Sequence, residues 1–97
     1  MADKISTTDL KSKKSDFVII DVREVDELDG GVIEDSISMP LGLVIRNAKK
    51  KQIENLKGKK ICTYCGTGYR GNIAADELVK EGFDAVTLEG GYSSWNQ

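Results

Sequence analysis

Apolar residues in this chain come in short runs between charged or glycine-bearing stretches, and the runs follow two different periods. Phe17-Val18-Ile19-Ile20-Asp21 is continuously apolar up to its last residue. That pattern predicts a strand buried on both faces, as in a parallel sheet covered by helices. Lys60 to Tyr64 and Ala85-Val86-Thr87-Leu88 predict two further strands, and Ser36-Ile37-Ser38 a shorter one that ends before Met39-Pro40. Between the strands the period lengthens. Ile73, Ala74, Leu78 and Val79 predict the inward face of a helix over Gly71 to Lys80, with Gly82 at its C-terminal cap. Leu43, Val44, Ala48, Ile53 and Leu56 predict another helix over 43–56. Ser6-Thr7-Thr8-Asp9-Leu10 predicts a short helix whose Ser or Thr accepts from free N–H groups at its start. Glu24 to Leu28 predicts one helical turn stopped by Gly30-Gly31, and Gly90-Gly91 a turn that leads to Tyr92 and Trp95 as packing anchors.

Strands alternating with helices predict an α/β fold, a three-layer α/β/α sandwich around a mainly parallel sheet. At 97 residues, 39% of them hydrophobic, the chain is expected to form a single domain over 1–97 with one core. In such sheets functional residues collect at the carboxyl ends of strands, where Asp21 and Cys65 both fall. A net charge of −2 gives no electrostatic case for nucleic acid as a partner. No apolar run approaches membrane-spanning length, and Met1-Ala2-Asp3-Lys4 does not begin a signal peptide, so a cytoplasmic protein without a membrane partner is expected. Two cysteines make no disulfide framework and are expected to be free thiols. The absence of histidine excludes a Cys–His dyad or a Ser–His–Asp triad within the chain and leaves a poor ligand set for zinc.

The candidate chemistry lies in Cys65-Gly66-Thr67-Gly68-Tyr69-Arg70, between a predicted strand end and a predicted helix start. A thiol there faces N–H groups that no helical bond uses, at the positive end of a helix dipole. Both favour the thiolate, which is the nucleophile. Two glycines, Gly66 and Gly68, let the backbone curl around the sulfur, and Arg70 adds a fixed positive charge. Gly66 to Gly71 also matches G-x-G-x-x-G in a strand–loop–helix context, the form of a dinucleotide fingerprint. The chain is too short for that reading: one strand follows, where a dinucleotide fold builds outward with several.

Four segments in register resemble the rhodanese-like family of sulfurtransferase domains. Cys65-Gly66-Thr67-Gly68-Tyr69-Arg70 fits the family's C-x-x-G-x-R loop, and Asp21-Val22-Arg23-Glu24 followed by Glu27 matches its upstream D-V-R-E signature. Gly31-Val32-Ile33 through Pro40 looks like its G-H-I-x-G-A-x-x-x-P segment, and Leu88-Glu89-Gly90-Gly91 with Trp95 its closing L-x-G-G-x-x-x-W. The departures are Val32 in place of a histidine that is generally structural, Asp35 where alanine is common, and Gly71-Asn72 in place of Ser-Ala. Gly66 and Thr67 lack the basic side chains that many thiosulfate-using members carry in the loop.

The resemblance implies sulfur transfer with Cys65 as nucleophile. The amides of Gly66, Thr67, Gly68, Tyr69 and Arg70, with the Arg70 charge, would hold the substrate, and Asp21, Arg23 and Glu27 would support the loop. Its partners would be small donors (thiosulfate, a persulfide or a polysulfide) and thiol or cyanide acceptors, among them a thiol protein. No cofactor or metal is required, because the protein itself carries the sulfur. A non-catalytic binding or sensing module is the alternative from another class. Phosphatase or arsenate-reductase chemistry is a third reading, weakened because those relatives use a loop longer by one residue. Cys62-Thr63-Tyr64-Cys65 spells C-x-x-C, but Cys62 is expected to pack inside its strand, which makes a Cys62–Cys65 disulfide a minor hypothesis. Lys49-Lys50-Lys51 is read as a solvated face, and Tyr69 equally as a plain surface residue or as part of the substrate mouth.

Overall fold

A computed structural model describes residues 2–96. Five strands form one sheet: β1 (Asp3–Ile5), β2 (Phe17–Asp21), β3 (Ile37–Ser38), β4 (Lys60–Tyr64) and β5 (Asp84–Leu88). Their order is β1-β5-β4-β2-β3, and every neighbouring pair is parallel. Four helices complete the layers: α1 (Thr7–Lys13), α2 (Leu41–Lys49), α3 (Tyr69–Lys80) and α4 (Gly91–Trp95). This is the expected α/β architecture.

Alternation along the strands divides the core into two clusters, one on each sheet face. Ile20, Ile61 and Ala85 pack with Val44 and Ala48 of α2 and with Ala74, Ala75 and Leu78 of α3. On the other face Ile19, Cys62, Tyr64 and Leu88 pack with Leu10 of α1, and Tyr92 and Trp95 of α4 lie against them. The largest fully buried side chain, Tyr64, carries a polar end that must be satisfied there. Its hydroxyl accepts the Ile33 N–H at 3.0 Å and lies 3.1 Å from Ser36 Oγ. In this way the centre of the sheet holds the long connection between β2 and β3.

The predicted elements are present, with four differences. The expected helix over 43–56 is two pieces: α2 ends at Lys49, Lys51 turns into the left-handed region at φ 59°, and Ile53 and Leu56 reach the core through a short 3₁₀ segment, Glu54–Leu56. Val79 faces solvent, while Ala75 takes the buried position beside Leu78. The expected turn at Gly90-Gly91 opens a five-residue helix. Finally, β1 was not expected. Asp3-Lys4-Ile5 has no apolar periodicity and is a strand because β5 offers it a free edge.

Tyr64→Phe removes the acceptor of the buried Ile33 amide. The expected loss is about 1–3 kcal/mol, read as a fall in Tm of at least about 4 °C. An unchanged Tm would mean that Ile33 finds another partner.

Candidate functional site

Strands β2 and β4 are neighbours, and their register sets Asp21 opposite Tyr64. The carboxyl end of β2 therefore lies beside the start of the Cys65 loop. After β4 the chain passes through Cys65 to Gly68 and enters α3. Gly68 forms the helix N-cap in the left-handed region, at φ 113°, a conformation open to glycine. Gly66 is different: its φ is ordinary and a Cβ there would meet nothing within 4 Å, so only one of the two loop glycines is required by the backbone. Gly71 is needed for closeness. A Cβ on it would come within 2.8 Å of Thr87 Oγ1 and 3.1 Å of the Tyr64 Cα. Without a side chain, the first turn of α3 presses against the end of β4.

Cys65 is 1% exposed and packs on the α2/α3 face, yet its sulfur is not left apolar. The Gly68 N–H donates to Cys65 Sγ at 3.1 Å. The N–H groups of Gly66, Thr67, Tyr69 and Arg70 donate to no carbonyl among the described residues. Their direction is set from behind the loop. The Tyr92 N–H donates to the Cys65 carbonyl at 2.8 Å, and Gly66 O accepts both the Ser93 N–H at 3.0 Å and Ser93 Oγ at 2.9 Å. In a planar trans peptide the carbonyl and the following N–H point to opposite sides. Drawing these two carbonyls towards α4 therefore turns the Gly66 and Thr67 amides the other way. Gly91 permits the approach, since a Cβ on it would lie 2.5 Å from Cys65 O and 2.8 Å from Gly66 O. Ser93 and the first turn of α4 were missed as parts of the site. The paired glycines pointed to a turn there, but nothing local says which carbonyls its amides cap.

Asp21 and Arg23 form a buried pair at the end of β2. Arg23 donates from Nε to Asp21 Oδ1 at 3.0 Å and from an Nη to Oδ2 at 2.8 Å, and its backbone N–H reaches Oδ1 at 3.0 Å. The Asp21 carboxylate, despite partial opposition from desolvation, raises the Arg23 pKa further above its usual range. The remaining guanidinium donors reach the carbonyls of Glu27 at 3.3 Å and Gly31 at 2.9 Å, and the group stacks 4.8 Å from the Tyr92 ring. Arg23 thus ties the 3₁₀ segment Val25–Gly30 to the strand end and to α4.

Glu27 leaves that segment to meet Arg70. The two form a fork of hydrogen bonds, 2.6 Å to Oε2 and 2.8 Å to Oε1, and the Glu24 N–H adds a third at 2.7 Å. These bonds, Arg70 first and Glu24 second, hold the Glu27 carboxyl down at about 2, and the pairing raises Arg70 in turn. The Arg70 guanidinium, expected to add positive charge at the loop, is therefore paired. It lies near enough to Cys65 for the sulfur to add to its shift.

Cys62 goes to the opposite face of the sheet, where burial pushes its thiol up to about 12. A protonated thiol is a poor nucleophile. The C-x-x-C spelling does not bring the two sulfurs together: Cys62 packs in the cluster of the α1/α4 face, and Cys65, just past the end of β4, in the cluster of the α2/α3 face. Tyr69 is 76% exposed and stands at the rim of a hollow of about 270 Å³ that Thr67, Asn72 and Glu89 also line.

A family model described as "Rhodanese-like domain" matches residues 6–97. The chain is 33% identical over 84 residues to the thiosulfate sulfurtransferase GlpE of Coxiella burnetii, covering 86% of this chain and 75% of that protein. It is 31% identical over 96 residues to YtwF of Bacillus subtilis (strain 168), a sulfurtransferase by name, covering 95% and 88%. The crystal structure of a rhodanese-related protein from Thermoplasma volcanium superposes with a TM-score of 0.83 at 32% identity, over 97% of this chain and 90% of that one.

Two outcomes follow from the geometry. Gly91→Ala must lift α4 from the loop carbonyls; the expected loss is at least about 1 kcal/mol, with faster hydrogen exchange at the Tyr92 and Ser93 amides. Glu27 has a folded pKa below its usual value, so the stabilisation from its pairing is present above pH 4.5 and lost as pH falls through about 2. In Arg70→Ala, a carboxyl-carbon NMR titration is expected to show the Glu27 midpoint rising from about 2 towards 4.5. A midpoint that stays near 2 would assign the shift to other groups.

Proposed function

The chain belongs to the family of rhodanese-like domains, and on that premise we propose that it is a sulfurtransferase working through a persulfide on Cys65. The Cys65 thiolate attacks the outer sulfur of a donor such as thiosulfate, a persulfide or a polysulfide. A new S–S bond forms as the donor's bond to that sulfur breaks, and the bonding pair leaves with sulfite or thiolate. An acceptor, cyanide or a thiol, then attacks the outer sulfur of Cys65–S–S⁻ and returns the Cys65 thiolate. The sulfur travels on the protein, and no cofactor enters the cycle.

The observation that carries this reading is the Gly68 N–H on the Cys65 sulfur, with the loop carbonyls drawn to the other side. The unpaired amides of Gly66, Thr67, Tyr69 and Arg70 are suited to hold the anionic outer sulfur as an oxyanion hole holds oxygen. Arg70, paired with Glu27, stands beside the sulfur, and Asp21, Arg23 and Glu27 brace the loop. Cleavage of phosphate esters has less support. It calls for a general acid, and the carboxyl that reaches the loop, Glu27, is held ionised far below neutral pH.

The burial of Cys65 favours the second reading, a binding module with a passive core cysteine. The two separate on one measurement. Intact-mass spectrometry after incubation with thiosulfate or polysulfide is expected to show one sulfur atom gained, mapped to Cys65. Cys65→Ser is expected to gain none and to turn over no donor while keeping its fold. An unlabelled wild-type protein would favour the passive module, and turnover by the serine variant would remove the nucleophile assignment.

A further inference from the structure

The positive charge that Arg70 brings to the mouth of the Cys65 loop is cancelled by a carboxylate. Arg70 spends both arms of its guanidinium on Glu27, at 2.6 and 2.8 Å. The segment that carries Glu27 also exposes Glu24, Asp26 and Asp29, and between 24 and 36 the chain has no basic residue. A 3₁₀ segment rises about 2 Å per residue, so these carboxylates lie within about a Debye length of Glu27. The nearby Arg23 is consumed by the buried Asp21. In the hollow beside the loop, Lys4 is matched by Glu89. No basic side chain stands at Gly66 or Thr67 to offset the acidic rim.

We propose that Glu27 determines which donors this site accepts. Its bidentate pair with Arg70 cancels that cation, and the exposed carboxylates of Glu24, Asp26 and Asp29 on the same segment then leave the mouth net negative, so the site takes sulfane sulfur from donors of low charge and discriminates against dianions such as thiosulfate. This rests on the sulfur-transfer reading and names its substrate class. The discrimination is electrostatic: a charge at a fixed distance acts twice as strongly on a dianion as on a monoanion. Methanethiosulfonate, a monoanion, provides the comparison. Cys65–S⁻ takes its outer sulfur to give Cys65–S–S⁻, and methanesulfinate leaves with the bonding pair. Thiosulfate reacts in the same way and loses sulfite. The chemistry is matched and the donor charge differs by one.

The test compares kcat/KM for the two donors in wild type and Glu27→Gln, with cyanide as acceptor. In a double displacement this ratio does not depend on the acceptor. The substituted amide keeps an oxygen for the Glu24 N–H and for Arg70 but removes the negative charge. The expected gain is about threefold for methanethiosulfonate and the square of that, about tenfold, for thiosulfate. The difference should shrink as ionic strength rises. Glu27→Asp, which keeps the charge, is expected to keep the wild-type donor ratio. An equal change for both donors, or a change insensitive to salt, would mean that Glu27 merely positions Arg70 and would overturn the inference while leaving sulfur transfer standing. Failure of both donors to label wild-type Cys65 would overturn sulfur transfer itself, and this inference with it.

Discussion

The carbonyl oxygens of Cys65 and Gly66 take the N–H groups that Tyr92 and Ser93 present at the start of α4. The first amides of a helix have no partner of their own, so this junction satisfies both sides at once. It also decides the polarity of the loop. A peptide plane cannot offer its carbonyl and its amide in one direction; with the carbonyls engaged behind, amides are left in front. Gly91 stands where any side chain would strike the Cys65 and Gly66 oxygens, and Gly71 allows the matching approach of α3 to β4. The loop is thus held by contacts from two helices that arrive from opposite faces of the sheet.

A second layer of control is electrostatic. The buried Asp21–Arg23 pair is a costly feature to desolvate, and separating the partners would leave an uncompensated charge in the interior. Arg23 extends from it to the carbonyls of Glu27 and Gly31 and to the face of Tyr92. One guanidinium therefore joins the β2 end, the Val25–Gly30 segment and α4. The Glu27–Arg70 pair is of another kind. It is partly exposed, and such pairs contribute little to stability. Its consequence is the placement of charge beside the sulfur, where one carboxylate cancels the cation nearest the reacting atom.

Much of the fold was legible along the chain. β2 and β4 have the predicted bounds; in β2 the apolar run Phe17 to Ile20 has few alternatives inside a covered parallel sheet. The pattern over 43–56 was right about burial and wrong about continuity. Ile53 and Leu56 do reach the core, but only after Lys51 reverses the backbone, and apolar spacing carries no mark for that reversal. β1 was invisible, since two of its three residues are charged and its stability lies in a free edge supplied by β5, some eighty positions away. In the site, the cysteine, Gly68 and the arginine could be named as parts of one loop. Gly66 was given a steric role that the backbone does not ask of it.

What the sequence determined by itself is the inventory and its local order: an α/β chain, a cysteine at a strand-to-helix junction, and no histidine to activate it. Three things were settled only by tertiary structure. Cys62 and Cys65 went to core clusters on opposite faces, α4 turned the loop's amides forward, and the fold set Glu27 against Arg70 across forty-three positions. The reason is one of range. Propensity and spacing act over a few residues, whereas the charge and donor direction at a site depend on groups that folding brings together from distant parts of the chain.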